Sequence, residues 1–394
     1  MILLLFLAAM LFFYSYDGKV TAYQTTLYAF SYKYGFISRA FIGTIYQGIG
    51  KLLSVDMMSY QAALAYTQVI TGLFYVFMFV FFGFLLKHTE EKNIKYTELI
   101  LVMYTISTVT MFACRKNFGR VDIYLVAISF AATMLLIKDK KLWLLIPMVA
   151  CAMMIHQGYV FMYFNIILVL LIYRFFSAKA QGKKKYGFFF VVVFLVGSAL
   201  FLYLEFFSRT NGEAIVDEII KNAAAVSFEG DYHETLIDHE ILNVDLANEE
   251  WDFHKENFVQ FPIFLCFLSP FVWMLIKFVK AVFSRVTTLE DKIKYFFVCF
   301  GFLTLVPNYL LKVDYARWTY AVVSYFSIMI MALLTLKDQV ISESIKEVAA
   351  VRKKHPSMIL LLPYFVIFVP FWDVYLNVAM KHISDWINIF VHFM

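Results

Sequence analysis

Long apolar runs separated by short polar stretches repeat along the whole chain. A run of about 20 apolar residues is what an α-helix needs to cross the hydrocarbon core of a bilayer, so the pattern predicts about eleven membrane-spanning helices. The first run lacks a basic flank and a small-residue cleavage site, which indicates a retained span and not a signal peptide. The runs lie at residues 1–16, 60–86, 97–114, 121–137, 142–156, 158–176, 186–207, 258–283, 295–312, 315–336 and 357–380.

Composition agrees with this pattern. Hydrophobic residues make up 62% of the 394 and only 16% are charged, against about 25% charged residues in a globular domain. The sequence therefore predicts an all-α integral membrane protein, and residues 1–394 form one polytopic domain because no internal repeat or low-complexity linker divides them. The net charge of +5 is explained by the loops below, so we exclude nucleic-acid binding.

The distribution of Lys and Arg predicts the orientation. Most of the 34 Lys and Arg residues fall on alternate loops, and these loops become cytoplasmic when the N-terminus is placed inside. Two outer segments are then long, 15–59 and the acidic 205–257. We expect the acidic segment to form a partly helical cap that avoids the phosphate end of any site, because its charge repels phosphate.

The first outer segment contains a predicted helix that lies on the membrane. Apolar residues recur every four positions, and a second stripe is offset from them by about 200°. We expect one stripe to meet lipid or protein and the other to meet headgroups. The apolar stripe is Ile37, Phe41, Ile45 and Ile49, and the second is Arg39, Gly43, Gln47 and Lys51.

The charged and polar residues closest to the apolar runs share the predicted outer face. An unpaired charge at membrane depth is costly, so such a residue is a functional candidate by default. Several arginines converging on one cavity suit a phosphate or diphosphate, because each guanidinium can donate two hydrogen bonds to paired oxygens. The candidates for phosphate or substrate binding are Arg39, Arg115, Lys116, Arg120, Gln157, Asp314, Arg317 and Trp318, and the candidate catalytic residues are Asp17, Asp122 and His156.

Each candidate also has a structural interpretation. Arg115 and Lys116 end a predicted helix, where cations favour the helix dipole and can snorkel. Arg120 and Asp122 could pair with neighbouring helices. Asp314 and Arg317 could form an i, i+3 salt bridge. In the same way, His156 could be a satisfied interfacial histidine and Asp17 a solvated loop residue, so the functional case depends on the shared face.

Residues 119–174, from "GRVDIYLV" to "LLIYR", resemble the middle of EpsG and Wzy-type polysaccharide polymerases. Those families also have an arginine before a span, a Lys-rich inner turn and then a span that ends in His. The resemblance implies that Arg115 or Arg120 contacts the diphosphate of a polyprenyl-linked sugar and that His156 lies near the reacting sugars. The match covers about 60 residues of the chain.

The front of the chain looks like the broader GT-C glycosyltransferases, whose first outer loop carries an acidic residue and surface helices. Asp17 and residues 36–53 fit that layout, although no paired Asp-Glu or DxD is present. The resemblance implies a GT-C-like bundle in the bacterial cytoplasmic membrane, with its active site on the outer face. Membrane lipid and polysaccharide-assembly proteins are the implied partners.

These features predict a membrane glycosyltransferase that uses a polyprenyl-phosphate- or polyprenyl-diphosphate-linked glycan and polymerises a surface polysaccharide. No metal ligand set is predicted and no cofactor is required, while a divalent cation stays an open alternative. A GT-C transferase that adds a single sugar is one alternative function. A flippase or exporter for a lipid-linked oligosaccharide is the other, although charges at mid-membrane and symmetric half-helix signals, which mark many transporters, are scarce.

Overall fold

The computed structural model describes residues 19–106, 118–208, 213–238, 241, 247–311 and 315–354, together with residues 384 and 391. All regular secondary structure in these ranges is helical, which confirms the prediction of an all-α protein. The α-helices are numbered here in chain order: α1 (Ala22–Ala29), α2 (Ala40–Leu53), α3 (Tyr60–His88), α4 (Glu91–Ile106), α5 (Asp122–Lys138), α6 (Leu145–Ile155), α7 (Tyr159–Met162), α8 (Phe164–Ser177), α9 (Ala180–Phe206), α10 (Glu213–Val226), α11 (Glu234–Ile237), α12 (Ala247–Phe283), α13 (Leu289–Phe300), α14 (Val306–Leu311), α15 (Tyr315–Thr335) and α16 (Gln339–Lys354).

Four helical stretches of the described residues are long and apolar enough to cross a membrane: Tyr60–His88, Ala180–Phe206, Leu289–Leu310 and Arg317–Thr335. This is consistent with an all-α membrane protein. The predicted count of about eleven spans is not reached in the described residues. The first and last predicted spans, 1–16 and 357–380, lie outside them.

Two predicted spans, 142–156 and 158–176, correspond to shorter apolar helices. The 14 residues of α8 extend about 21 Å at the usual rise per residue, which is less than the hydrocarbon thickness of about 30 Å. The first prediction agrees with the apolar helix Leu142–Ile155, whereas the second spans a break at Tyr163, between α7 and α8, that hydropathy does not detect. The sequence pattern therefore overestimated the length of the second helix.

Helix α8 forms the centre of the bundle. Its buried residues lie on all sides of the helix, and it packs against α5, α7, α9, α13 and α15. A helix that is apolar around its whole circumference is stable only when other helices or lipid surround it. The position of α8 is therefore dictated by its sequence.

The apolar stretch Leu289–Leu310 is interrupted by a 3₁₀ segment, Gly301–Leu305, between α13 and α14. Tyr325 Oη donates to the carbonyl oxygens of Phe297 (3.0 Å) and Val298 (2.9 Å) at the end of α13. Asn165 Nδ2 donates to Gly301 O (3.2 Å) and Thr304 Oγ1 (2.9 Å). Side chains thus satisfy backbone groups that the break releases, which is the condition for irregular backbone inside an apolar bundle.

Polar contacts collect at two opposite ends of this bundle. Asp122 begins α5 and contacts Arg317 near the start of α15. At the other end of α5, the carbonyl oxygen of Leu136 accepts from Arg174 Nη2 at 2.7 Å. The predicted outer residues and the predicted inner residues therefore separate into two groups, while their orientation relative to a membrane stays a prediction.

A buried carboxylate joins three helical elements at the end that holds Arg174. Tyr173 Oη of α8 and Tyr295 Oη of α13 each donate to Asp338 Oδ2 at 2.6 Å. Asp338 Oδ1 accepts from the backbone N–H of Ile341 at 2.8 Å and so caps the start of α16. Asp338 is buried, so these hydrogen bonds compensate for the loss of its hydration.

Helix α2 corrects one expectation about the first outer segment. Gly43 packs against backbone carbonyl oxygens of α1, and Gln47 Nε2 donates to Tyr28 O at 3.0 Å. The second stripe was expected to meet headgroups, and this is wrong for Gly43 and Gln47, which face the protein. The apolar side points outward instead, where Ile45 is 42% and Leu52 is 83% exposed.

Candidate anion-binding site

Side chains from three distant parts of the chain meet around the ring of Tyr23 in α1. Arg39 Nη1 donates to Tyr23 Oη at 3.0 Å. Arg120 Cζ lies 5.1 Å from the Tyr23 ring centroid and Arg39 Cζ lies 6.0 Å from it. The His233 ring stands edge-on to Tyr23 with 5.8 Å between ring centroids. We call these four residues the Tyr23 cluster.

The Tyr23 cluster combines positive charge with access from solvent. Two guanidinium groups lie within cation–π range of the same aromatic ring, at roughly 6 Å or less. None of the four side chains is fully buried, so a ligand can reach them. Planar guanidinium donors suit the oxygens of a phosphate, and the aromatic ring contributes an apolar face to the same place.

The position of Arg39 depends on how α2 packs against α1. Arg39 precedes α2 and adopts a left-handed conformation, with φ 60° and ψ 6°. This conformation is uncommon outside glycine and is retained where the surrounding structure imposes it. A Cβ at Gly43 would collide with Phe30 O and lie 2.5 Å from Leu27 O, so the close approach that fixes Arg39 requires glycine.

Arg120 is held by the turn that precedes α5. Gly119 has φ +88°, and a Cβ at this position would lie 2.9 Å from Thr67 Cγ2 and 3.1 Å from Gln24 Cγ. Glycine therefore satisfies both the backbone conformation and the close packing of this turn. Arg120 follows directly and is carried towards Tyr23, whereas Asp122, two residues later, enters the bundle.

Asp122 and Arg317 form a buried ion pair. Arg317 Nε donates to Asp122 Oδ1 at 2.8 Å, and the two residues are 5% and 2% exposed. The pairing with another helix, left open for Asp122 by the sequence, is the one observed. Trp318 next to it is also buried, with its ring edge-on to Tyr309 at 5.1 Å between centroids. These three residues are much less accessible than the Tyr23 cluster.

His156 and Gln157 are buried in the turn between α6 and α7. His156 Nδ1 accepts from the backbone N–H of Gly158 at 2.9 Å, so the neutral imidazole carries its proton on Nε2. Gln157 Oε1 accepts from Ser38 Oγ at 2.8 Å. Gln157 therefore contacts the residue that directly precedes Arg39.

Four of the predicted site residues lie outside the described residues: Asp17, Arg115, Lys116 and Asp314. The roles assigned to them stay predictions. Among the described candidates, the structure brings Arg39 and Arg120 together, pairs Asp122 with Arg317, and buries His156, Gln157 and Trp318.

The acidic outer segment supplies His233, which the sequence analysis did not include in the site. Residues 213–241 contain α10 and α11, and α10 packs against α1. His233 N donates to Thr26 Oγ1 at 2.8 Å, and Thr25 Oγ1 lies 2.8 Å from Ser227 Oγ. The expectation that the segment avoids the phosphate end of a site stays a prediction, while His233 of this segment contacts Tyr23. The only feature of the sequence that could have drawn attention to His233 is that it is a histidine among acidic residues.

The described residues contain no group of three or more His, Cys, Asp and Glu side chains that could hold a metal ion. Arg39 and Arg120 are the positively charged residues of the Tyr23 cluster.

Burial and the nearby guanidinium groups of Arg120 and Arg39 lower the pKa of His233 below its ordinary value, while Asp231 acts weakly in the opposite direction. While the segment is packed on α1, His233 therefore stays neutral. When the segment detaches, His233 binds a proton as soon as the pH falls below the ordinary pKa of a histidine side chain. In the pH range between these two pKa values, the packing of the segment on α1 becomes less stable as the pH falls.

We expect limited proteolysis to cleave residues 213–241 faster at about pH 5.5 than at about pH 7.5. Glu218 contributes little in this range, because its hydrogen bond with Lys33 lowers the pKa of its carboxyl group. His233→Asn keeps an acceptor for the start of α11 but does not titrate, so it should remove most of the difference. A cleavage rate in the wild type that does not change with pH contradicts the prediction.

The chain matches no family model, no curated protein and no solved structure.

Proposed function

We propose that the protein is a membrane glycosyltransferase that uses a polyprenyl-phosphate- or polyprenyl-diphosphate-linked glycan on the outer face of the bacterial cytoplasmic membrane and polymerises a surface polysaccharide. The observation that carries the proposal is the Tyr23 cluster, in which Arg39 and Arg120 approach one aromatic ring at an accessible polar end of an apolar bundle. A lipid-linked phosphate would meet positive charge there while its chain stays in the bilayer.

In the proposed reaction, the bond between the anomeric carbon and a phosphate oxygen of the donor breaks, and the oxygen of an acceptor hydroxyl bonds to that carbon. Arg39 and Arg120 stabilise the negative charge that develops on the leaving phosphate. The acceptor proton passes to a base. The geometry disfavours Asp122, which is 2% exposed and paired with Arg317, and His156, whose Nδ1 is occupied. Asp17 is therefore our proposed base.

The finer architecture belongs to the same proposal. We propose that the remaining apolar runs complete a GT-C-like bundle of about eleven membrane-spanning helices with the N-terminus inside. The resemblance to EpsG and Wzy-type polymerases supports this arrangement through residues 119–174. Polysaccharide-assembly proteins would be the partners, and a single-sugar GT-C transferase is the closest enzymatic alternative.

A flippase or exporter of the same lipid-linked glycan is the second candidate. Two helix breaks favour this function, one at α7 and one at Gly301–Leu305. The two breaks are in contact, because Thr304 Oγ1 donates a hydrogen bond of 3.1 Å to Phe161 O. Interrupted helices that meet inside a bundle are common at transporter binding sites. The two functions differ in where lipid-linked repeat units collect when the gene is deleted.

We expect a deletion strain to collect lipid-linked repeat units on the outer leaflet, where an impermeant oxidant added to spheroplasts destroys their sugars. Accumulation on the inner leaflet would instead support the flippase. Wild-type surface glycan and unchanged lipid-linked intermediates in the deletion strain would contradict both functions.

Arg120→Ala is expected to lower polymer formation by about 100-fold or more, because a donor aimed at the developing charge is lost. Arg120→Lys keeps the charge without the planar fork and should give an intermediate rate. Lys51→Ala is the matched control, since Lys51 is an exposed basic residue on α2. The measurement is glycan chain length in strains with equal amounts of inserted protein. Normal polymer with Arg120→Ala would contradict the site assignment.

A further inference from the structure

The backbone around His233 fixes both the position and the tautomer of its ring. His233 N donates to Thr26 Oγ1 of α1 at 2.8 Å. His233 Nδ1 accepts from the backbone N–H of Leu236 at 3.2 Å and so caps the start of α11. A neutral imidazole that accepts at Nδ1 carries its proton on Nε2, so the ring is a donor at the Nε2 position.

The His233 ring belongs to the same group of side chains as the two arginines of the Tyr23 cluster. The edge-on contact of His233 with Tyr23 places both rings in one group with Arg39 and Arg120. Burial and the two guanidinium groups also lower the pKa of the imidazole, so at neutral pH the ring does not add a third positive charge. A neutral N–H beside two guanidinium groups complements an anion that has several oxygens in different directions.

We propose that His233 is a binding residue of the same anion site, and that its Nε2–H donates a hydrogen bond to a phosphate oxygen of the ligand held by Arg39 and Arg120. The acidic segment 213–241 thereby completes the phosphate end of the site with a neutral donor. This inference rests on the proposed function, because it takes an isoprenoid phosphate or diphosphate as the ligand.

The acidic character of the segment is compatible with this role. Segment 213–241 is held on α1 through the hydroxyl groups of Thr25 and Thr26. Glu218 forms an ion pair with Lys33 at 2.8 Å. The charged residues nearest to His233 in sequence, Glu234 and Asp231, are both exposed. The imidazole is thus the segment's contribution to the Tyr23 cluster.

Two variants separate the donor role from the capping role. His233→Gln places an amide N–H near the position of Nε2–H but removes the acceptor that caps α11. His233→Asn keeps a capping acceptor, because asparagine is a favoured N-cap residue, but its amide is too short to replace Nε2–H. If His233 only caps α11, His233→Gln should weaken ligand binding more than His233→Asn does. If His233 donates to the ligand, His233→Asn should weaken binding more.

The probe is farnesyl diphosphate, a short isoprenoid diphosphate, titrated into the full-length protein in nanodiscs. We expect His233→Gln to bind within about threefold of the wild type and His233→Asn to bind about tenfold more weakly, as for loss of one hydrogen bond to a charged group. Binding by His233→Asn that equals or exceeds binding by His233→Gln overturns the inference.

Arg39→Ala and Arg120→Ala distinguish this failure from failure of the proposed function. If both weaken binding by about tenfold or more while His233→Asn binds at least as well as His233→Gln, only the role of His233 is wrong. If both bind farnesyl diphosphate like the wild type, the anion site itself is wrong, and the inference falls with it.

Discussion

Gly43→Ala should lower the free energy of unfolding by about 3 kcal/mol or more, because the added methyl group meets backbone that has no free space. The new Cβ would collide with Phe30 O, lie 2.5 Å from Leu27 O and 3.0 Å from Tyr28 O. These atoms belong to the backbone at and just after the end of α1, so they cannot rotate away as a side chain would. The expected response is separation of α2 from α1, which would also displace Arg39.

Gly48→Ala is the matched control on the same helix. A Cβ at Gly48 has no atom within 4 Å, so alanine should be neutral or should stabilise α2 by up to about 1 kcal/mol through its higher helix propensity. The measurement is unfolding of the purified proteins in mixed micelles. Equal stabilities of the two variants would show that α1 and α2 do not pack as described.

Asp122→Asn and Arg317→Gln are each expected to cost about 3 kcal/mol, because each removes one member of a buried ion pair. Their side chains are only 3% and 6% exposed, so water cannot replace the missing contact. The double variant should lose about 0.5–3 kcal/mol less than the sum of the single variants, since its two amides can still bond to each other.

The exposed pair of Lys33 and Glu218 is the control for this measurement. Its Nζ and Oε1 are 2.8 Å apart, but the side chains are 41% and 54% exposed, so Glu218→Gln should leave the stability unchanged. Additive losses for Asp122→Asn and Arg317→Gln would contradict a coupled ion pair. The experiment also decides whether loss of activity in an Asp122 variant reflects chemistry or folding.

The sequence predicted the helical class and the grouping of polar turns, because both depend on the hydropathy of consecutive residues. Arg39, Arg120, Asp122, His156, Gln157 and Arg317 were assigned to one face, and the described contacts bring them to one end of the bundle. Roles within that face were not predictable. Whether Arg317 pairs with Asp122 or with a ligand depends on how α5 and α15 pack.

Helix lengths and His233 show two further limits of the sequence pattern. Hydropathy does not register the break at Tyr163, between α7 and α8, because the residues around it are as apolar as those of the helices. His233 reaches Tyr23 only because the Thr25 and Thr26 hydroxyl groups anchor a segment about 200 positions later in the chain. Side-chain contacts at such separations leave no local signal.

The carboxylate of Asp338 makes one end of the bundle costly to open. Opening the end that holds Asp338 would break two phenol–carboxylate hydrogen bonds and a helix cap in a buried setting, at a substantial free-energy cost. Residues 213–238 cover the Tyr23 end through apolar packing of α10 on α1, with Ile219, Ala223 and Val226 fully buried, and through hydroxyl contacts and an exposed ion pair. The two ends are therefore held by different forces, which are hydrogen bonds to one buried carboxylate at the Asp338 end and mainly the burial of apolar surface at the Tyr23 end.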